Sequence, residues 1–219
     1  MAALLLVGAA MAGWAVRGKT RASSSAAPGA SSQTRITPAS VTYAKSLGVS
    51  SAPIRIDVFS DYECPMCRTF YLNTLRPVID NYVSTGKVYL VHHDFPLAMH
   101  AHSREAARWA TAAAVAGDFE AVDQALYTNQ EKWEVNGQIE PFVAAVLSPA
   151  EMKKVKSLFT QDASELDAAV EADYAIGKAK NVDSTPSIFI TARGQVQELP
   201  PGGVGYPLMK QYLDYLLQH

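Results

Sequence analysis

The two cysteines of the chain, Cys64 and Cys67, lie three positions apart where a predicted strand meets a predicted helix. Residues 54–60, IRIDVFS, form a β-branched and aromatic run that is typical of a buried strand. A helical pattern of about twenty residues follows, with Pro65 at the first helical position, where proline is favoured. A disulfide across so short a loop adds little stability. The pair therefore indicates chemistry rather than a structural bridge.

The helix after the cysteines leads into a second strand. Pro77 lies inside the helical pattern and predicts a kink, and Gly86 predicts the end of the helix. Residues 87–95, KVYLVHHDF, then form the second strand. A strand, a helix and a strand joined by short loops predict a parallel unit.

Residues 99–181 differ from the segments on either side, because they are rich in alanine and carry repeated helix boundaries. Ser103 predicts the cap of a helix that ends at Gly117, and Ser148 with Glu151 forms a capping box. Strands return at 187–191 and 195–199, before a last helix over about 205–217. The sequence thus predicts an α/β fold that is interrupted by an all-helical block of about eighty residues.

The cysteine pair fits thiol–disulfide exchange. The thiolate is the attacking species, and the positive end of a helix lowers the pKa of a cysteine placed there, as Cys64 is. Cys67 is one turn further on, within reach of a mixed disulfide at Cys64. A zinc half-site and an inert pair are the alternatives. No second CxxC motif exists, so we expect no metal and no cofactor. Zinc would need ligands from the histidines His92, His93, His100 and His102.

Three segments resemble the DsbA-like branch of the thioredoxin superfamily. They are FSDYECPMC at 59–67, DSTPSIFIT at 183–191 and HDFPLAMHAHSREAARWA at 93–110. The resemblance covers roughly residues 41–219 and implies a thioredoxin fold with a helical insertion at about 99–181. It implies that Cys64 is an exposed nucleophile, that Cys67 is a shielded resolving thiol, and that the two form a redox disulfide. It also implies a cis Thr185–Pro186 bond, where the backbone of Thr185 pairs with an extended substrate.

The chain departs from that family at the position of the buried acid. Many relatives place an acid six residues before the first cysteine, where it helps to move the proton of the resolving thiol. Here that position is Val58, and the acid is one residue earlier, at Asp57. A one-residue offset in a strand points the side chain to the opposite face, so Asp57 cannot simply inherit the role, and a pair with Arg55 is the alternative. Asp57, Glu63 and a water molecule all remain candidate proton carriers.

The residues between the cysteines, Pro65 and Met66, are candidates for tuning the pair. DsbA has a histidine where this chain has Met66, and methionine supplies neither a positive charge nor a firm hydrogen bond. We therefore expect the pKa of Cys64 to be less depressed than the ~3.5 of DsbA, and the couple to be less oxidising. His93, at the end of the second strand, is expected to be solvated rather than to tune the site.

The N-terminal residues predict a leader. Residues 2–16 are uncharged and mostly apolar, which is short for a membrane span and suits the core of an export signal. The basic residues, beginning with Arg17 and Lys19, follow this run instead of preceding it. Residues 1–16 are thus interpreted either as a signal or anchor that lacks a few upstream residues, or as a short hydrophobic tail. Residues 17–40 predict a flexible linker, and the folded domain is expected over 41–219.

These observations predict a protein thiol:disulfide oxidoreductase that is exported or anchored outside the cytoplasm, in the periplasm or at the outer face of the inner membrane. The resemblance implies oxidation of exported protein thiols, with reoxidation by a membrane quinone-linked partner of the DsbB or vitamin-K-epoxide-reductase kind. A disulfide isomerase or reductase is one alternative, and a non-redox metal-binding or chaperone-like module is another. The net charge of −2 gives no field that would attract nucleic acid.

Overall fold

A computed structural model of the chain describes residues 36–219, and a mixed sheet lies at its centre. The strands are β1 (Ser46–Leu47), β2 (Ile54–Ser60), β3 (Val88–Asp94), β4 (Ser187–Ala192) and β5 (Gln195–Glu198). They are ordered β1-β3-β2-β4-β5 across the sheet. Strands β2 and β3 are parallel, as predicted, and the other neighbouring pairs are antiparallel.

Helices cover the sheet and form the insertion between β3 and β4. The first two are α1 (Pro38–Ala44) and α2, which runs over residues 65–83. The insertion contains α3 (Ser103–Ala116), α4 (Phe119–Thr128), α5 (Gln130–Trp133), α6 (Glu140–Ala144), α7 (Pro149–Gln161) and α8 (Ala163–Ala179). The last helix is α9 (Tyr206–Gln218). The predicted thioredoxin fold with an inserted all-helical region is confirmed.

Helix α2 accommodates Pro77 by changing its hydrogen-bond spacing. Two π-helical turns, Tyr71–Leu75 and Ile79–Val83, flank the short α-helical segment Arg76–Val78. Proline has no N–H to donate to the carbonyl four residues earlier, so a regular ladder cannot continue through it. The kink predicted at Pro77 therefore corresponds to a helix that is widened on both sides of the proline.

Helix α1 begins inside the segment that was predicted as linker. Thr37 caps the helix, its side chain accepts a hydrogen bond from the Ser40 backbone N–H, and the Ser40 side chain accepts one from Thr37 N–H. Pro38 stands at the first helical position, and Val41 is buried. Residues 38–40 are thus helical rather than linker, because a local cap and one buried side chain suffice to order them.

The side chains of β2 point alternately to the two faces of the sheet. Ile54, Ile56 and Val58 enter the main hydrophobic core, whereas Phe59 belongs to a second, smaller cluster. Asp57 projects on the side of Phe59, because side chains alternate along a strand. The offset between Asp57 and Val58 therefore places the acid on the opposite face of the sheet, as the sequence indicated.

A buried ionic cluster joins α1, the sheet and the insertion. The Lys45 ammonium is fully buried and binds both Asp94 and Asp173. His93 bridges two acids, with Nε2 at 2.7 Å from Asp57 Oδ1 and Nδ1 at 3.2 Å from Asp173 Oδ1. The prediction that His93 is solvated is wrong, because the insertion covers the end of β3 and supplies Asp173 as its partner.

The leader predicted at residues 1–16 and most of the linker lie outside the described residues. Within residues 36–219, no helix combines the length and the apolar character that a membrane span requires.

Candidate active site

The two cysteines lie at the start of α2, directly after the loop that follows β2. Cys64 is the N-cap residue, with φ −78° and ψ 121°, and Pro65 occupies the first helical position. Both cysteines are free thiols. Cys67 is 1% exposed and Cys64 only 6%, so Cys64 is the more accessible thiol but is less exposed than the resemblance implies.

The environment drives the pKa values of the two thiols in opposite directions. A hydrogen bond from Cys67, together with bonds from the Thr185 side chain and the backbone N–H groups of Met66 and Cys67, outweighs burial and lowers the pKa of Cys64 to about 6. Burial, followed by the hydrogen bond and the charge of Cys64, raises the pKa of Cys67 well above its ordinary value. These shifts favour a thiolate at Cys64 and a protonated thiol at Cys67 at neutral pH.

The loop before β4 forms the wall opposite the cysteines. The Thr185–Pro186 peptide bond is cis, and Cys64 Sγ lies 3.5 Å from Thr185 O. The buried Thr185 hydroxyl has no hydrogen-bond partner in the described part of the chain. It can therefore direct its proton to the Cys64 sulphur, which is one cause of the lowered pKa of that thiol.

Asp61 anchors the loop between β2 and α2. Its carboxylate accepts hydrogen bonds from Glu63 N at 2.8 Å, Leu97 N at 2.7 Å and Ser103 Oγ at 2.5 Å, and pairs with His100 Nδ1 at 2.7 Å. Ser103 is not the helix cap that its sequence position predicts: His102 is the N-cap residue, and the Ser103 hydroxyl donates to Asp61 instead. The insertion thus holds the active-site loop through one buried carboxylate.

Gln130, at the start of α5, holds the same loop from another side. Its Nε2 donates to the backbone carbonyls of Tyr62 at 2.5 Å and Cys64 at 3.0 Å. Gln130 is not recognisable as a site residue from the sequence, because its partner Tyr62 is 68 positions away and no local pattern predicts the contact.

His100 lies beside the site, and its pKa is raised. Burial lowers its pKa, but the hydrogen bond and charge of Asp61, with smaller contributions from Cys64 and Glu63, give a net increase. Met66 is 54% exposed and supplies no charge, as expected from its chemistry. The imidazole whose protonation the site favours therefore lies in the insertion and not between the cysteines. In the sequence, His100 stood out only as one of four histidines that zinc would need as ligands.

The two acidic candidates for proton transfer have other partners. Asp57 binds Arg55 through contacts of 2.6 and 2.7 Å, in addition to His93. Burial opposes ionisation of Asp57, but these bonds prevail and lower its pKa to about 2, which makes it a poor proton acceptor at neutral pH. Glu63 accepts a hydrogen bond from His102 N at 2.6 Å. In the described residues, no group of three or more His, Cys, Asp or Glu side chains is arranged to hold a metal ion.

The fold and the cysteine pair are those of a thioredoxin-like protein, and a comparison with protein families agrees. A sequence model described as thioredoxin matches residues 41–198, which is more than half of the chain, so the chain belongs to the thioredoxin family.

Solved structures show which thioredoxin-family architecture this is. BdbD from Bacillus subtilis is similar, with a TM-score of 0.62 and 18% identity over 80% of this chain and 93% of that one. α-DsbA1 from Wolbachia pipientis gives a TM-score of 0.65 and 19% identity over 78% and 89%. DsbA2 from Pseudomonas aeruginosa gives 0.58 and 24% over 78% and 93%. These likenesses show a DsbA-like fold.

Curated relatives match over a shorter stretch. A segment of 52 residues is 38% identical to the probable disulfide bond formation protein D of Bacillus cereus. The protein of the same description from Bacillus anthracis matches equally well. The segment covers 24% of this chain and 24% of each relative, so the chain is aligned with about a quarter of their length.

Proposed function

We propose that this protein is a thiol:disulfide oxidoreductase that forms disulfides in protein substrates. The pKa values of Cys64 and Cys67, which are shifted in opposite directions within one helical turn, carry this proposal. Exchange needs one thiolate that attacks and leaves readily, beside a second thiol that stays protonated at rest. The names of the curated relatives, which concern disulfide bond formation, support the same chemistry.

The oxidising cycle begins with a disulfide between Cys64 and Cys67. A substrate thiolate attacks Cys64 Sγ, the bond between the cysteines breaks, and Cys67 leaves as a thiolate that takes a proton. A second substrate thiolate then attacks the substrate sulphur of the mixed disulfide, which releases Cys64 as a thiolate. Its pKa of about 6 makes Cys64 a good leaving group and favours this direction.

The pKa of Cys64 also supports a second candidate, a reductase or isomerase. A value of about 6 lies closer to the ~7 of thioredoxin than to the ~3.5 of DsbA. We expect a reduction potential between the approximately −270 mV of thioredoxin and the approximately −120 mV of DsbA, because a less stabilised thiolate makes a weaker oxidant.

The location and partners belong to the same proposal. We place the domain outside the cytoplasm, exported or anchored by residues 2–16, where stable disulfides form. Exported proteins with free thiols are the proposed substrates, and a membrane quinone-linked protein of the DsbB or vitamin-K-epoxide-reductase kind is the proposed electron acceptor.

Two assays on the wild-type protein and on Cys64→Ser and Cys67→Ser variants test the function. An oxidase restores activity to reduced ribonuclease faster than it reduces insulin, a reductase shows the reverse preference, and a non-redox module is inactive in both. We expect Cys64→Ser to abolish exchange and Cys67→Ser to accumulate mixed disulfides with substrates. Absence of adducts in Cys67→Ser, with adducts in Cys64→Ser, would reverse the assignment of the nucleophile.

A further inference from the structure

The loop that precedes the nucleophile depends on donors from outside itself. Residues 61–64 join β2 to α2 without lying inside either element. Within the loop, Cys64 N donates to Asp61 O at 3.1 Å. The Cys64 carbonyl accepts the first bond of α2, from Arg68 N at 3.1 Å, and has a second lone pair to offer. The carbonyls of Tyr62 and Cys64 thus have acceptor capacity for a donor from another part of the chain.

Gln130 supplies that donor from the insertion. Its Nε2 lies 2.5 Å from Tyr62 O and 3.0 Å from Cys64 O. Both partners are acceptors, so the nitrogen end of the amide must face the loop and each of its two protons has its own carbonyl. Gln130 is 1% exposed, so these bonds form away from water, where a hydrogen bond is stronger than in solvent.

The two bonds fix the backbone on both sides of Glu63, and with it the place of the Cys64 side chain. Cys64 is the N-cap residue of α2, where the unpaired N–H groups of the first helical turn favour an anion. Its sulphur lies 3.5 Å from Thr185 O. Because reaction rates depend steeply on the orientation of the reacting atoms, a loop that drifts would displace this sulphur from both the helix and an attacking thiolate.

We propose that Gln130 is a positioning residue that holds the Cys64 backbone, so that the sulphur stays at the start of α2 and in line for exchange. Gln130 bonds to the carbonyl of Cys64 and takes no part in the electron transfer. When a substrate thiolate attacks Cys64 Sγ, the electron pair of the breaking disulfide passes to Cys67 Sγ, which then takes a proton. This inference rests on the proposed exchange activity.

Loss of the amide should change the reactivity of Cys64 in two ways. Without Gln130, the two carbonyls turn toward water, and the loop carries the sulphur away from the N–H groups of α2. The loss of one hydrogen bond corresponds to roughly a threefold to tenfold change in a rate or equilibrium constant. We therefore expect the pH midpoint of Cys64 alkylation to rise by about 0.5–1 unit, and opening of the disulfide by glutathione to slow roughly threefold to tenfold.

Gln130→Met tests this proposal, because methionine has a similar length and no N–H to donate. Iodoacetamide alkylation of the reduced protein as a function of pH gives the midpoint, and acid-quenched reactions of the oxidised protein with reduced glutathione give the rate. Thr111→Val is the matched control, since it removes a buried hydrogen bond between the insertion and Asp94 of the sheet. Gln124→Met makes the same substitution at an exposed position of α4. Both controls are expected to keep the wild-type midpoint and rate.

Gln130→Glu keeps the shape of the side chain and makes the effect depend on pH. An ionised carboxylate only accepts hydrogen bonds and would face two carbonyls, whereas the protonated form donates one bond. Burial raises the pKa of a carboxyl at this place. We therefore expect the rate of disulfide opening, relative to the wild type at the same pH, to fall as the pH rises from about 5 to about 8. A side chain that only fills space would not give this dependence.

The outcomes separate this inference from the proposed function. A wild-type protein that exchanges no disulfide with glutathione overturns both. Normal wild-type exchange, with an unchanged midpoint and rate in Gln130→Met, overturns the role of Gln130 alone. Equal changes in Thr111→Val, or a relative rate of Gln130→Glu that does not vary with pH, also contradict it. Gln130→Glu provides the test even if Gln130→Met does not fold.

Discussion

Replacing Asp61 by asparagine is expected to destabilise the protein, because this buried carboxylate accepts bonds that an amide cannot all accept. If the amide nitrogen takes the place of Oδ2, it faces Leu97 N–H, and if it takes the place of Oδ1, it faces Glu63 N–H. In either orientation the amide N–H of the asparagine faces a backbone N–H, and neither can accept the other's hydrogen bond. The Ser103 hydroxyl can reverse its role, but a backbone N–H cannot.

The magnitude follows from that one unpaired group and the lost charge. A buried N–H without a partner costs about 1–3 kcal/mol, and weakening the remaining charge-assisted bonds adds about 1 kcal/mol. We therefore expect Asp61→Asn to lower the free energy of unfolding by about 2–4 kcal/mol. The pKa of His100 should also fall, because Asp61 raises it.

Urea unfolding of the oxidised proteins at pH 7, followed by tryptophan fluorescence, measures the effect. The matched control is Asp167→Asn, which removes a half-exposed carboxylate paired with Arg104 and Arg108. An exposed pair of this kind is worth less than about 1 kcal/mol. If Asp61→Asn proved as mild as Asp167→Asn, the anchoring role of Asp61 would be refuted.

Three further variants test the surroundings of the site. Thr185→Val removes a hydroxyl that lowers the pKa of Cys64, so the pH midpoint of iodoacetamide alkylation should rise by about 1–2 units from about 6; an unchanged midpoint would exclude this contribution. His100→Gln should cost the oxidised protein more stability at pH 5.5 than at pH 9 in urea unfolding. The raised pKa of His100 gives a contribution that is complete below about 6.5 and is lost as the pH rises through the folded value; an equal loss at both pH values would contradict it. Lys45→Met leaves the buried acids Asp94 and Asp173 without their cation and should lower the free energy of unfolding, measured in urea at pH 7, by about 3–5 kcal/mol. A loss below about 1 kcal/mol would show that the cluster does not stabilise the fold.

Local sequence patterns predicted the main strands and helices and the position of the cysteines, but not α1 or β1. The helix after Ser148 begins with the predicted capping box, and Gly117 ends α3 in a left-handed conformation with φ 97°. Pro65 begins α2 directly after Cys64. Each of these features depends on residues a few positions apart, so the sequence alone contains the physics that determines it.

The partners that support the site could not be predicted in this way. Asp61 meets Ser103 across 42 positions and His100 across 39, and the Tyr62–Gln130 contact spans 68. The sequence predicted a solvated His93 at a strand end, because its acid partner Asp173 lies 80 positions later. Such contacts depend on how the insertion folds back over the strand ends, and no local periodicity encodes that placement.

The central claim is that Cys64 is held ionised and Cys67 protonated at neutral pH. The absorbance of the thiolate in the reduced protein, measured as a function of pH, tests this claim most directly. With Cys64→Ser and Cys67→Ser variants to assign the sulphurs, we expect Cys64 to titrate at about 6 and Cys67 to remain protonated beyond pH 9. Two thiols that titrate together at about 8.5, the ordinary value for cysteine, would contradict the account.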